Sequence, residues 1–316
     1  MRPSLVVHSP QPQTFPRFVW DKPPAPQHIG LALGGGAARG LAHIGVLEVL
    51  EEAEIPIHMV AGCSAGALVG ALLAAGVSAK RQHELIHGLE WGTVSTLSLR
   101  LPRLSKLGSA LKGLPLGLLD LDKLMEWMGE ILGETHTFDR LKLPFAAVAT
   151  DIVSGEMVIM NDGEVAPAVR ASCSVPGIFT PYRRAGRLLV DGGVIANLPV
   201  QAVRLMGAEY VIAVDLLPMP GARRRAPENI VDLALTSLYA LIRANQAYAN
   251  QADCVIAPAI EDFSLVELSA AEELIAAGRA AAVAALPRLR ADLTQNAAQT
   301  AAQTAAQTAA ETGAMI

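Results

Sequence analysis

The chain has 316 residues, 52% hydrophobic and 17% charged, with a formal net charge of −5. Such a length and apolar content allow a sizeable buried core, and the acidic balance argues against nucleic-acid binding, which needs a basic face. The three cysteines, Cys63, Cys173 and Cys254, are far apart and form no C-x-x-C pair; a reduced, cytoplasmic chain with buried thiols is the simplest reading.

Residues 1–27 are rich in proline, and their longest apolar piece is Leu5-Val6-Val7. That is far short of the roughly 7–15 residues of a signal-peptide core, so they read as an extended arm. From His28 the pattern becomes regular. "HIGLAL" reads as a short buried strand ended by Gly34, Gly35 and Gly36. "ARGLAHIGVLEVLEEAEI" reads as an amphipathic helix, "HMVAG" as a second strand, and 65–76 as a second helix. The apolar run 60–77 approaches the length of a membrane span. It breaks at 62–66, however, and each half is too short for about 30 Å of hydrocarbon.

Strands are expected downstream at 145–151, 156–161, 187–191, 210–215 and 254–258, the first two joined by a hairpin-like turn. Helices are expected at about 122–132, 164–172, 199–206, 229–250 and 269–285. Alternation of this kind predicts one α/β domain over 28–290, with a largely parallel sheet and helices on its faces. Within it, 91–120 is leucine-rich, carries Arg100, Arg103, Lys106 and Lys112, and has no acid before Asp120. This segment is either an irregular loop packed on the core or an apolar, basic flap that meets lipid or an anionic membrane surface. Residues 291–316 contain an Ala-Ala-Gln-Thr repeat with no apolar stripe, and read as a low-complexity, partly helical tail.

Three features carry chemistry. Gly62-Cys63-Ser64-Ala65-Gly66 is a G-x-S-x-G pentapeptide between a strand and a helix. About one chain in ten of this length holds such a pentapeptide by chance, so its context decides. Small residues there let the chain reverse sharply and expose the Ser64 hydroxyl at a helix N-terminus; a merely tight strand–helix corner is the alternative. A serine nucleophile needs a base. Of seven histidines only His83, His87 and His136 follow Ser64, and none ends a strand, so a histidine-based triad is poorly supported. Asp191 ends the strand 187–191 and begins Asp191-Gly192-Gly193. Desolvation there would raise its pKa and make it a usable base; an ordinary Asp-Gly turn is the alternative. Finally, "GGGAARG" at 34–40 fails the dinucleotide pattern, since Arg39 or Ala37 stands where a glycine is needed. It offers backbone N–H groups at a helix N-terminus, suited to an oxyanion, with the Arg39 charge nearby.

Together, the glycine loop, the G-x-S-x-G elbow and the D-G-G turn, in this order and without a histidine, resemble the patatin-like phospholipase family. The likeness runs over about 28–258 and is greatest to its stand-alone bacterial members, which are similar to the catalytic domain of neuropathy target esterase. It implies a patatin-like three-layer α/β/α sandwich with a mostly parallel central sheet. It also implies hydrolysis of a fatty acyl ester in phospholipid or lysophospholipid, without metal or other cofactor. Ser64 would be the nucleophile and Asp191 the general base; Gly35, Gly36 and Ala37, with Ala65 assisting, would form the oxyanion hole. Gly34, Arg39, Gly40, Gly62, Gly66, Gly192 and Gly193 would support them. Ala37 departs from the family, which usually has glycine there; a positive φ would cost its methyl group about 1 kcal/mol or more. The competing expectations are a weakly active or non-catalytic lipid-binding protein on the same scaffold, and an acyltransferase, which the lack of any histidine after His136 disfavours.

Overall fold

Strand β1 (Ile29–Leu33) is the first element among the described residues, and all five of its residues are buried. The computed structural model describes residues 28–87, 92, 95–97, 116–217, 226–227, 230–245, 252–266 and 268–313. The expected N-terminal arm, and most of the expected flap at 91–120, lie outside the described residues. After β1 a 3-10 turn (Ala37–Leu41) leads into α1 (Ala42–Glu52), followed by β2 (Met59–Cys63), α2 (Ala65–Ala74) and α3 (Ala79–Ile86). Ser78 caps α3, its side chain accepting from the Arg81 N–H at 3.2 Å.

The chain continues through β3 (Thr96–Leu97), β4 (Gly117–Asp120), α4 (Asp122–Leu132), β5 (Phe145–Asp151), β6 (Glu156–Met160) and α5 (Val165–Ser172). Next come β7 (Gly177–Phe179), β8 (Tyr182–Arg184), β9 (Arg187–Asp191), α6 (Gly193–Ala196) and α7 (Val200–Leu205). The last elements are β10 (Tyr210–Val214), α8 (Ile230–Asn245), β11 (Cys254–Ile256) and α9 (Ala271–Gly313).

The main sheet runs β11-β10-β1-β2-β5 in parallel, with β6, β9 and β8 joined antiparallel beyond β2. Side chains alternate strictly between its faces. Leu31, Leu33, Val60, Phe145, Ala147 and Ile212 enter a large core beneath α1, α2, α5 and α9. Ala32, Met59, Ala61, Ala146, Val148 and Val211 face a smaller one under α7. The result is the expected three-layer α/β/α sandwich with a mostly parallel sheet. Burial on both faces explains why the strands read as continuous apolar runs. Each fully buried leucine, such as Leu31 or Leu33, contributes about 1.5–3 kcal/mol.

A second, three-stranded sheet, β3-β4-β7, and the short β8 and α6 were not expected from the sequence. Their strands are two to four residues long, too brief for a hydrophobic period to register. The C-terminal helix also runs farther than expected. It crosses the boundary at 290 without a break, and Leu289 and Leu293 still meet the core. Asp292 accepts a hydrogen bond from the Tyr210 hydroxyl at 3.0 Å. This helix crosses α1 so closely that a Cβ on Gly45 would collide with the Ile275 carbonyl, and one on Gly278 with the Ala42 carbonyl. Among the described residues no helix is long and apolar enough to cross a membrane.

Candidate active site

Strand β2 ends at Cys63 and α2 begins at Ala65, which leaves Ser64 as the single residue of the turn. Its backbone sits at φ 53° and ψ −124°, a region that costs a side-chain-bearing residue about 1–3 kcal/mol. The strain is held by a specific bond. The Ser64 N–H donates to Ser172 Oγ at 2.9 Å, and Ser172 Oγ donates to the Val148 carbonyl at 2.6 Å. Gly66 is required by close approach, because a Cβ there would collide with the Leu33 carbonyl. Gly40 similarly lets the 3-10 turn touch Ala65. The Ala65 N–H, first in its helix, has no intrahelical acceptor.

Asp191 reaches Ser64 through the pairing of β5. Along that strand, Val148 pairs with Cys63 of β2 and with Ile159 of β6, and Ala149 pairs with Asp191 of β9 and with Val158 of β6. Because β6 occupies the other edge over Ala147–Asp151, β2 and β9 share one edge and meet end to end. Gly192 occupies the junction, where a Cβ would collide with the Val148 carbonyl. The Asp191 carboxylate is buried, at 5% exposure. Its Oδ1 accepts from the Gly193 N–H at 2.7 Å and faces Cys63 Sγ at 3.8 Å. Its Oδ2 has no hydrogen-bond partner within normal geometry among the described residues, and the Ser64 hydroxyl lies near the carboxylate. Desolvation pushes its pKa up to about 6; the nearby Ser64 hydroxyl, the Gly193 N–H and Cys63 oppose the rise. Burial likewise raises the nearby thiols of Cys63 and Cys173, which are poor nucleophiles as a result.

In the glycine loop the amides divide into engaged and open. The Gly34 N–H donates to the Val214 carbonyl at 3.0 Å, the Gly35 N–H to the Asn197 carbonyl at 3.1 Å, and the Ala38 N–H to the Leu265 carbonyl at 3.0 Å. Gly35 is therefore already engaged, which counts against the expected donor role. Gly36 and Ala37 have no such backbone acceptor among the described residues. Ala37 sits at φ +51°, so the costly branch of the expectation applies and its methyl is strained. Arg39 was expected as a nearby charge. Its guanidinium binds the Phe263 carbonyl, at 3.0 Å from Nε and 2.7 Å from Nη2, and the Glu261 carbonyl at 3.2 Å. It thereby ties the turn to the 261–263 segment.

Four supporting residues carried no role in the sequence reading. Ser172 holds the elbow. Asn197 clamps the loop on both sides, its Nδ2 donating to the Gly35 carbonyl at 3.2 Å. His43 is fully buried with Nε2 at 2.7 Å from the Gly34 carbonyl; burial lowers its pKa to about 4, so it is neutral and donates from Nε2. Arg170 is 4% exposed and braces the segment after α5, bonding Asp120 Oδ2 at 3.1 Å, Thr180 Oγ1 at 2.9 Å and the Thr180 carbonyl at 3.1 Å. Of these, Ser172 and Asn197 were visible only as short polar residues inside the apolar blocks around 165–182 and 191–200.

Ser64, Ala65, Ala37 and Gly40 line a cavity of about 130 Å³. Its other walls are apolar, including Leu41, Leu68, Leu121, Leu124, Val175 and Phe179. None of the three histidines after Ser64 lines it. His136 is exposed, with Nδ1 at 3.0 Å from the Gly133 carbonyl. The site thus joins a hydroxyl on a strained turn, a buried carboxylate, open amides and an apolar chamber.

The family model for patatin-like phospholipases matches residues 31–204, more than half of the chain. An uncharacterized NTE family protein of Mycobacterium tuberculosis is 38% identical over 190 residues, which cover 60% of this chain and 49% of that protein. Human patatin-like phospholipase domain-containing protein 6 is 38% identical over 196 residues, 60% of this chain and 13% of the human protein. Lysophospholipase NTE1 of Mycosarcoma maydis is 36% identical over 188 residues, 60% of this chain and 10% of the fungal one. The match therefore spans about half or less of these relatives' lengths. Among solved structures, VipD from Legionella pneumophila superposes with a TM-score of 0.52 at 19% identity, over 84% of this chain and 67% of that one. With its sandwich fold and the match over 31–204, the chain belongs to the patatin-like phospholipase family.

Proposed function

We propose that the protein is a serine acyl-ester hydrolase of phospholipase A, lysophospholipase or carboxylesterase type, working through a Ser64–Asp191 dyad. The observation that carries this reading is the buried Asp191 carboxylate beside the Ser64 hydroxyl, its Oδ2 without a partner within normal geometry among the described residues. In the first step Asp191 Oδ2 takes the Ser64 hydroxyl proton as Ser64 Oγ bonds to the acyl carbonyl carbon. The negative oxygen that forms is met by the N–H groups of Gly36, Ala37 and Ala65. The tetrahedral intermediate collapses, the carbon–oxygen bond to the alcohol breaks, and the alcohol leaves with the proton from Asp191. A water molecule, deprotonated by the same carboxylate, then attacks the acyl-serine carbon; the bond to Ser64 Oγ breaks, Asp191 returns the proton to Ser64 Oγ, and the fatty acid leaves.

The lining supports this substrate class. The chamber beside Ser64 is almost wholly apolar and suits an acyl chain. Leu116 and Leu118, at the described end of the 91–120 segment, are 63% and 43% exposed next to cavity-lining Leu121. That arrangement favours peripheral contact with lipid. The test is hydrolysis of a p-nitrophenyl ester and of defined phospholipids and lysophospholipids by the full chain. Ser64→Ala and Asp191→Asn each abolish turnover while the fold persists; undiminished turnover in both would sink the dyad.

A weakly active or non-catalytic lipid-binding role is supported by one feature, the strained Ala37 in the glycine loop. A fluorophosphonate probe separates the two readings. Labelling that is lost in Ser64→Ala favours the hydrolase, and absent labelling with vesicle binding retained favours the lipid binder.

A further inference from the structure

A second group of reactive side chains lies away from the Ser64 chamber, where α3 meets the first turn of α9. His83 and His87 are one helical turn apart and face the same way, with rings stacked at 5.6 Å and 19° between planes. Glu272, from α9, faces both: its Oε1 is 3.1 Å from His83 Nε2 and 3.8 Å from His87 Nε2. One nitrogen or oxygen from each of the three lies within 4.8 Å of the others. A tetrahedral zinc ion with bonds of about 2.0–2.2 Å separates its ligand atoms by roughly 3.4 Å, so these positions need only small side-chain rotations. None of the three lines the catalytic chamber.

The far side of His83 strengthens the case. Its Nδ1 is 2.9 Å from Glu48 Oε1, on α1. Glu48 is itself fixed, because its Oε2 accepts from Arg279 at 2.8 Å. A carboxylate on the other ring nitrogen fixes the tautomer and orientation of a metal-binding histidine and raises its basicity. His83 Nε2 lies 3.1 and 3.2 Å from the two Glu272 carboxylate oxygens, and in the neutral ring that donates from Nδ1 to Glu48 it presents its lone pair to them. Two acceptors in that relation need a positive centre between them, either a proton or a metal cation.

We propose that His83, His87 and Glu272 form a binding site for a divalent transition-metal ion of the zinc class, with Glu48 positioning His83 from behind. Two imidazoles and one carboxylate suit zinc, and exposure of His87 and Glu272 leaves the remaining position to water. Such an ion would staple α3 to the start of α9, the helix that covers α1.

The test is calorimetric titration of the metal-stripped full chain with zinc chloride at neutral pH, with thermal unfolding as a second readout. The expected result is one zinc ion per chain at this site and a higher unfolding midpoint in its presence. His87→Gln, exposed enough to leave the fold intact, and Glu272→Gln each weaken binding at least tenfold and remove the thermal gain. Glu48→Gln, which touches no metal, weakens it about 10–100-fold. His28→Gln, in the separate His28–His58 pair, leaves it unchanged. Absence of zinc binding, or binding unaltered in His87→Gln, would overturn the proposal.

Discussion

Cys63 and Asp191 stand end to end on one edge of β5, opposite the consecutive residues Val148 and Ala149. One strand arrives parallel to β5 and the other antiparallel, so their C-terminal ends converge on the same point. Ser64, one residue beyond Cys63, is thereby brought to the carboxylate by backbone pairing, before any side-chain packing contributes. Their relative position is thus set by the sheet register rather than by loop conformation.

Activity should follow the ionisation of Asp191. Burial holds its pKa up at about 6, and a general base must be deprotonated. The rate kcat/KM is therefore expected to rise about tenfold per pH unit below this value and to level off above it. A pH–rate profile checks this. An acid limb centred near the ordinary aspartate value of about 3.9 would show that Asp191 is not the titrating base.

The strain at Ser64 can be separated from its chemistry. Ser64→Ala keeps the unfavourable backbone angles, whereas Ser64→Gly relaxes them. Both variants should be inactive. The glycine variant should be more stable than the alanine variant by about 1 kcal/mol, the relief of a cost of about 1–3 kcal/mol less the added chain entropy. Urea unfolding of the two proteins measures the difference, and equal midpoints would mean that the turn is unstrained.

The sandwich, the elbow and the D-G-G turn were legible because each rests on a local signal. Strands such as Phe145–Asp151 begin with an unbroken apolar run, here Phe145 to Ala149, and the glycines around Ser64 and Asp191 mark positions where backbones come close. The direction of β9 was not legible, and with it the reason that Asp191 meets Ser64, since pairing partners far apart in sequence leave no local trace. The engagement of Gly35 depends on Asn197, which lies 162 residues away. The φ of Ala37 could be framed as a condition but not decided, because an alanine does not declare its backbone angles. The extent of α9 was missed because its contacts with Gly45 and Tyr210 are tertiary, and the Ala-Ala-Gln-Thr repeat carries no stripe of its own.

The crossing of α1 and α9 should be intolerant of a single methyl group. At Gly278 a Cβ meets the Ala42 carbonyl, and backbone cannot rotate out of the way. Although alanine is the better helix former by about 1 kcal/mol, Gly278→Ala is expected to destabilise the protein by about 2–4 kcal/mol through overpacking. Gly129→Ala is the control, since nothing lies within 4 Å of a Cβ there. It should be neutral or slightly stabilising in the same thermal melts.

Two buried groups pull the pH dependence of stability in opposite directions. His43 has its pKa lowered from 6.5 to about 4, chiefly by desolvation. Between these values the unfolded chain holds a proton that the folded chain lacks, so His43 makes stability fall as pH falls through the window. Asp191 has its pKa raised from 3.8 to about 6. Between those values the folded chain holds the extra proton, so Asp191 makes stability fall as pH rises. In the intact protein the two nearly cancel between about pH 4 and 6. Asp191→Asn removes one side of the balance. At neutral pH it should stabilise the fold by about 1–3 kcal/mol while abolishing activity, because it deletes a buried charge. In the same variant the loss of stability towards acid should steepen, approaching about 1.4 kcal/mol per pH unit. Adding His43→Gln should flatten it again. Urea midpoints across this pH range for the two variants measure both effects, and an unchanged slope in Asp191→Asn would refute the raised pKa of the carboxylate.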